Sequence, residues 1–285
     1  MPRKNPKVSV LTPIYNTNPE HLREMIESIL NQTFTDFEFL ILNDSPDNKE
    51  IEKIVLDYAK HDKRIKYSKN EKNMGITPSR NKLLKMANGE YVAIFDHDDI
   101  SRPERLEKQV NYLDSHKYIG VVSGWIHYFG QQDFIVKNPE NDTEIKIFMT
   151  DDNYVAHTAA MIRKSVLVDN NIEYEEYYSP AEDYRLWARL MDLTHFYNIP
   201  EILVEYRSHD KNTSVKQISK MSLEHDIIQQ SICNKYPVFR QEFDKNYNQG
   251  TLFRLRLFGI IPLLKIKQNK VYLFEILPIL TIKWR

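Results

Sequence analysis

The sequence predicts an α/β protein whose mostly parallel, doubly wound sheet is flanked by helices and followed by a helical tail rich in basic and apolar residues. Three observations carry this. Strand-like runs alternate with helical patterns of roughly ten to fifteen residues, which is the mark of βαβ units. The polar turns after those strands collect at the edge where such a sheet takes its ligands. Finally, Tyr91-Val92-Ala93-Ile94-Phe95 reads as a buried strand and runs directly into Asp96-His97-Asp98-Asp99.

Each element has its own warrant. Val8 to Tyr15 has the β-branched content of a first strand, and Asn18-Pro19-Glu20 opens a helix with a cap, a proline at its first position and an early acid. Leu22, Met25, Ile26, Ile29 and Leu30 give that helix its apolar stripe. Phe37 to Leu42 is strand two, ending in the turn Asn43-Asp44-Ser45-Pro46, and a helix follows through Ile51, Ile54, Val55 and Tyr58. A short strand around Arg64 to Tyr67 precedes the turn Asn73-Met74-Gly75. Thr77-Pro78 then starts a helix that Asn88-Gly89 is expected to cap. Beyond residue 119 the pieces Ile119 to Ser123, Trp125 to Phe129 and Phe134 to Lys137 suggest an antiparallel extension, and Ile199 to Tyr206 is a later strand.

Composition narrows the function. With 285 residues, 41% hydrophobic and 28% charged, the chain has room for one large domain plus an appendage, expected at residues 1–215 and 216–285. A formal charge of −1 gives no basic field for a nucleic-acid partner. One cysteine, Cys233, excludes an internal disulfide framework and fits a reducing compartment. The basic start, Arg3 to Lys7, leads into a strand and reads as no signal peptide. The longest apolar run, Leu257 to Leu264, is far short of the roughly twenty residues that a spanning helix needs.

The carboxylates after strand four are the chemical centre. Like charges two residues apart stay together when a divalent cation offsets them, and oxygen ligands suit Mg²⁺ or Mn²⁺. Asp96 and Asp98 are read this way; Asp99 is read as negative charge ahead of a helix capped by Ser101 and Glu104. Arg80 and Asn81 sit in the first turn of a helix that begins near the same edge, where a guanidinium and a helix N-terminus both favour phosphate. A solvated surface arginine is the alternative for Arg80, and a plain turn residue the alternative for Asp44. Ser179 and Glu182 form a second capping box, which gives Glu182 a structural reading and leaves Asp183 spare.

Taken in order, Val10 to Asn16, Ser28 to Phe34, Asn43-Asp44-Ser45, Asn73-Met74-Gly75 with Arg80-Asn81, Phe95 to Asp99 with Pro103 and Leu106, and Glu182-Asp183 resemble the family 2 glycosyltransferases with the GT-A fold, over about residues 7 to 210. That resemblance implies a nucleotide-sugar donor, of the uracil type usual in that family, bound through Thr12, Pro13, Tyr15 and Asp44, with Arg80, Asn81 and Asp96 towards ribose and diphosphate. It further implies Mn²⁺ or Mg²⁺ on Asp98, Asp96 and a late histidine matching His209, and Asp183 as catalytic base of an inverting transfer. The usual Asp-Asp-Gly-Ser turn is Asn43-Asp44-Ser45-Pro46 here, which bears on base preference. His157 lies on a strand pattern expected to back the acceptor pocket.

Residues 216 to 249 read as helical. From 250 to 285, Arg254, Arg256, Lys265, Lys267, Lys270, Lys283 and Arg285 stand against a single acid, Glu275, among many apolar residues. Such a segment suits an anionic membrane surface, or a helical hairpin packed on the domain. The resemblance and the tail together imply a cytoplasmic enzyme, peripheral on the inner face of the membrane. It would move a sugar from a UDP-sugar to a saccharide or lipid-linked saccharide in lipopolysaccharide or capsule synthesis. The alternatives are a catalytically inactive nucleotide-sugar-binding assembly partner and a nucleotidyltransferase.

Overall fold

A computed structural model describes residues 5–210, 212, 217–247, 251–257, 261–267, 270–273 and 277–281. The first half alternates as its pattern dictates: β1 (Val8–Ile14), α1 (Pro19–Leu30), β2 (Phe37–Asn43), α2 (Lys49–His61), β3 (Ile65–Lys69), α3 (Ile76–Met86) and β4 (Tyr91–Ile94). The short β5 (Ile100–Ser101) leads to α4 (Arg105–Ser115), β6 (Ile119–Gly130), β7 (Phe134–Val136) and α5 (Asp142–Phe148). Then come β8 (Met161–Arg163), α6 (Lys164–Asp169), α7 (Glu182–Leu190), β9 (His195–Ser208), α8 (Ile218–Lys235) and α9 (Pro237–Asn246).

The nine-stranded sheet runs β3-β2-β1-β4-β8-β6-β9-β5, with β7 on β6. Strands β3, β2, β1 and β4 are parallel, as are β6 and β9; β8 runs antiparallel between β4 and β6, so the sheet is mixed. Side chains of β1 alternate between two cores. Val8, Val10 and Ile14 join a cluster with α1, α2 and α4, while Leu11 joins one with α3, α5, α7 and α8. Ile228 and Ile232 of α8 are buried in the second cluster, and each contributes roughly 1.5–3 kcal/mol to its docking.

One register difference opens the site. β1 pairs with β2 over all seven residues but with β4 only from Val8 to Leu11. Past Leu11 the two strands part, which is also why Pro13, lacking an N–H, is tolerated in a central strand. The chain leaves β1 towards β2 on one side while β4 lies on the other, so the gap is a topological switch point.

Several local expectations need correction. Ser101 does not cap α4: it belongs to β5, and its hydroxyl accepts from Gln32 Nε2 at 3.1 Å. Gln32 supplies the cap instead, its Oε1 accepting from Leu106 N at 3.0 Å. Asn88-Gly89 is no left-handed cap either, since α3 ends on an extended Ala87. Gly89 is required for close packing, because a Cβ there would lie 2.5 Å from Ser9 N. His157 sits in a single 3-10 turn, His157–Ala159, ahead of β8. The strand-like pieces around 119–129 form one continuous strand, β6.

The expected helical character of the tail is not what the structure gives. Its described backbone forms a four-stranded antiparallel sheet: β10 (Thr251–Leu257), β11 (Ile261–Lys267), β12 (Lys270–Leu273) and β13 (Leu277–Thr281). Pro262 and Pro278 oppose a helix, and the β-branched and aromatic residues between them favour extended chain. Lys283, Trp284 and Arg285 lie outside the described residues, as does the expected membrane contact of this segment.

Candidate active site

The structure gathers most of the expected residues around the gap between β1 and β4. Asp44, directly after β2, is buried and saturated with donors: Oδ1 accepts from Asn70 Nδ2 at 2.7 Å and Met74 N at 2.8 Å, Oδ2 from Gly75 N at 2.8 Å. Gly75 adopts φ +91°, a region only glycine enters without cost, and thereby aims its N–H at Asp44. The carboxylate thus holds the 73–75 turn against the end of β2. Thr12 and Pro13 are buried in β1, whereas Tyr15 is 51% exposed at its end.

Arg80 is the hub. From the first turns of α3 its Nη1 meets Glu182 Oε1 at 2.5 Å and its Nη2 meets Asp96 Oδ1 at 3.1 Å. Glu182 is 3% exposed, and among the described residues its Oε2 has no hydrogen-bond partner, as is true of Arg80 Nε. Burial opposes the guanidinium's charge, but Glu182 and Asp96 outweigh it and hold the Arg80 pKa above its ordinary value. The capping role expected of Glu182 is overturned: Ala181 is the N-cap of α7, with no side-chain cap, and the carboxylate turns to Arg80. A charge-assisted bond in a dry site outweighs a neutral cap on a helix end.

Beyond Asp96 lies a second acidic pair. Asp98 Oδ2 is 2.9 Å from His209 Nε2, and the His209 ring stacks on that of His21 with centroids 5.7 Å apart. Burial pushes the Asp98 carboxyl up, yet His97 and His209 more than compensate and bring it below the usual carboxylate range. Asp99 goes the other way: burial, and then the charges of Asp98 and Asp96, push it well above that range. Its oxygens accept from Thr158 Oγ1 at 2.8 Å and Arg207 N at 2.9 Å, so it braces the loop from within rather than serving the α4 terminus.

Among the described residues no group of three or more His, Cys, Asp or Glu stands ready to hold a metal ion. Asp98 and His209 nevertheless bring one carboxylate oxygen and one ring nitrogen within 2.9 Å of each other, with the Asp96 side chain 28% exposed nearby in sequence. Mg²⁺-type ions are commonly held by one or two protein ligands plus substrate phosphates, so this donor set fits a cation completed by a diphosphate.

Asp183 follows Glu182 and forms no ion pair among the described residues. Its Oδ1 accepts from Tyr184 N at 2.7 Å and its Oδ2 from Asn153 Nδ2 at 2.9 Å. Burial, then the charge of Glu182, raise it to about 6 against the opposing pull of Arg80. A carboxylate poised there takes a proton near neutral pH far better than an ordinary aspartate.

Asn81 is placed differently from expectation. Its Nδ2 donates to Tyr174 O and its Oδ1 accepts from Tyr174 N, both at 2.9 Å, so both amide groups hold the 173–178 loop. His157 is buried against that loop, with Nε2 2.8 Å from Tyr174 Oη; burial, then Arg80, lower its pKa well below the ordinary value. Sequence reasoning missed Asn153, Thr158 and Arg207 as partners of the acidic residues. Thr158 alone carries a signal, a hydroxyl beside the apolar run Ala159-Ala160-Met161-Ile162; Asn153 and Arg207 lie in polar stretches.

Residues 9–169 match the family described as Glycosyl transferase family 2. An uncharacterized glycosyltransferase, MJ1057 of Methanocaldococcus jannaschii, is 36% identical over 223 residues, 76% of each chain. The amylovoran biosynthesis glycosyltransferase AmsE of Erwinia amylovora is 29% identical over 204 residues, 70% of this chain and 76% of that one. In fold, the chain is similar to Staphylococcus aureus TarS 1-349 in complex with UDP-GlcNAc, with a TM-score of 0.64 at 19% identity over 85% of this chain and 76% of that one. It is also similar to the mannosyltransferase PcManGT of Pyrobaculum calidifontis in complex with GDP-Man and Mn²⁺, with a TM-score of 0.64 at 15% identity over 87% and 72%. The mixed sheet flanked by helices is therefore a GT-A arrangement. The extent of the family match and the identity to MJ1057 establish that this chain belongs to glycosyl transferase family 2 and is a glycosyltransferase.

Proposed function

We propose that the protein is an inverting, metal-dependent transferase that moves a sugar from a UDP-sugar to a hydroxyl of a saccharide or lipid-linked saccharide in surface-polysaccharide synthesis. The observation that carries this is Arg80, which joins Asp96 on the donor side to Glu182 beside Asp183 in one buried network. Diphosphate and proton acceptor are thereby kept within one short span.

In this reading the nucleotide lies across the gap beyond Leu11, between Tyr15 and the turn that Asp44 holds. Asp98 and His209, with Asp96, would hold Mn²⁺ or Mg²⁺, which when bound would supply positive charge to the departing diphosphate. Arg80 adds a fixed positive charge beside the same oxygens. Asp183 accepts the proton of the attacking hydroxyl as the new C–O bond forms at the anomeric carbon. The bond to the diphosphate breaks on the opposite face, and the nucleoside diphosphate leaves with its electron pair. Asn81 acts on the loop that borders the acceptor rather than on the donor.

Residues 1–215 would form the catalytic unit and 216–285 its appendage. None of the helices searched among the described residues is long and apolar enough to cross a membrane. The basic character of residues 250–285 supports peripheral attachment to an anionic inner surface. Uracil preference draws on Asp44 and on the UDP-GlcNAc complex of TarS, while the GDP-Man complex of PcManGT shows that the fold also takes guanine. Thermal unfolding of the full chain against UDP, GDP and their sugars, with and without Mn²⁺, tests the proposal. Metal-dependent stabilisation, strongest with one UDP-sugar, is expected. A larger shift with GDP would overturn the base assignment, and no shift with any nucleotide would remove the donor site.

A further inference from the structure

We propose that Asn153 is a positioning residue for the proton-accepting carboxylate of Asp183, and that helix α8 sets Asn153 through the buried pair His225 and Asp152. The inference rests on the assignment of Asp183 as base.

The chain of contacts is continuous. His225 Nε2 lies 2.7 Å from Asp152 Oδ1, and the same oxygen accepts from Asn153 N at 2.7 Å. Asn153 Oδ1 accepts from Val155 N at 3.1 Å, which orients the amide and sends Nδ2 to Asp183 Oδ2 at 2.9 Å. The His225 ring is itself fixed, stacked on Tyr184 with centroids 4.9 Å apart, and Tyr184 is the residue whose N–H holds the other Asp183 oxygen. Thus α8 reaches both oxygens of one carboxylate, each through a single intermediary residue or pair.

The appendage helices grip this loop at further points. Gln229 Nε2 donates to Asp151 O at 2.6 Å, and Thr150 O accepts from Cys233 Sγ at 3.2 Å and Arg240 Nη1 at 3.0 Å. A loop needing only to close the sheet would not require main-chain anchors from two helices. The effect is to fix the azimuth of a carboxylate that must meet a hydroxyl at hydrogen-bond range.

The groups around Asp183 are Glu182 on α7, Arg80 on α3, Asp96 beyond β4 and Tyr174 on the facing loop; His225 has Asp152 and its neighbour Asp226. A donor to a carboxylate favours its charged form, so Asn153 lowers a proton affinity that burial and Glu182 raise. Removing it must push Asp183 further up.

This titration is read without substrate. The stability difference between the chain and its D183N variant changes with pH around the Asp183 midpoint, near 6. In an N153S background, where a hydroxyl still accepts from Val155 N but is too short to reach Asp183, the midpoint is expected to rise by about half a unit to one unit. H225F keeps the ring on Tyr184 and loses the nitrogen, and is expected to move the midpoint the same way by less. Turnover should fall roughly tenfold or more in N153S, with donor KM unchanged. An unmoved midpoint in N153S overturns the proposal, and an unmoved midpoint in H225F alone overturns the role of α8. Should N153S fail to fold, the side-chain amide resonances of Asn153 in the wild-type chain decide: they should titrate near pH 6 and cease to do so in D183N. Because the midpoints and the amide resonances need no nucleotide, their failure is separate from failure of the donor site, which the thermal screen reports.

Discussion

Arg80 and Glu182, 102 residues apart in sequence, form one buried ion pair with Nη1 2.5 Å from Oε1. Removing Arg80 strands Glu182, which is only 3% exposed, a loss of about 3–5 kcal/mol. R80A should therefore unfold at lower temperature and lose transfer together. E182Q keeps a neutral acceptor for Arg80 and removes the like charge beside Asp183, so the acid limb of its turnover profile should move to lower pH. Calorimetry and a pH–rate series check the two variants. An E182Q limb displaced upward would contradict the assigned electrostatics.

Asp183→Asn should leave nucleotide binding intact while turnover falls by roughly 10²–10⁴. Its stability carries a sign that can be checked. Because the folded chain raises Asp183 from 3.8 to about 6, the native state binds the proton more tightly than the unfolded state. Stability therefore falls as pH rises from about 4 through about 6, and D183N escapes that fall. At pH 7.5 D183N should be the more stable chain by roughly 1–3 kcal/mol, with little difference at pH 4. Denaturant titrations at the two pH values measure this.

Chelation should remove most of the stabilisation that UDP gives, and D98N should reproduce that loss with Mn²⁺ present. H209A should do so in part, since Asp98 remains. Full Mn²⁺-dependent stabilisation of D98N by UDP would move the cation elsewhere.

Asp44→Asn offers an amide group to a ring of donors. With Met74 N, Gly75 N and Asn70 Nδ2 all pointing at the native carboxylate, at least one N–H must then meet an N–H. A loss of about 1–3 kcal/mol is expected, with weaker nucleotide binding as the 73–75 turn opens. Melting curves with and without UDP separate the two effects.

A chain ending at residue 247 should no longer pellet with anionic vesicles, while the full chain should do so less as salt rises. Equal pelleting of both would place the membrane contact within residues 1–247.

Much of this site could be read from strand ends. Asp96, Asp98 and Asp183 stand where a run of apolar or capping residues stops, and the order of the pieces carried the family. What was not legible was long-range choice between partners. Ser179 and Glu182 satisfy a local capping pattern, yet a buried guanidinium from α3 competes for the same carboxylate and wins. Ser101 loses its capping role in the same way to Gln32, from 69 residues away. Asn153 offers no pattern, because its role is defined by a neighbour 30 residues on. The tail was misread because interleaved basic and apolar residues fit an amphipathic helix and a strand almost equally over short spans.

The clasp between Asn81 and Tyr174 uses only main-chain atoms of the loop. Any residue but proline, which lacks the N–H, would be gripped in the same way, so the anchor constrains where the loop lies while leaving its wording largely free. Exposed members such as Tyr177 can then be exchanged with no loss of the hold. Loop grafting across relatives should thus retarget the acceptor while leaving α3, with Arg80 one residue before the clasp, as an undisturbed frame for the donor.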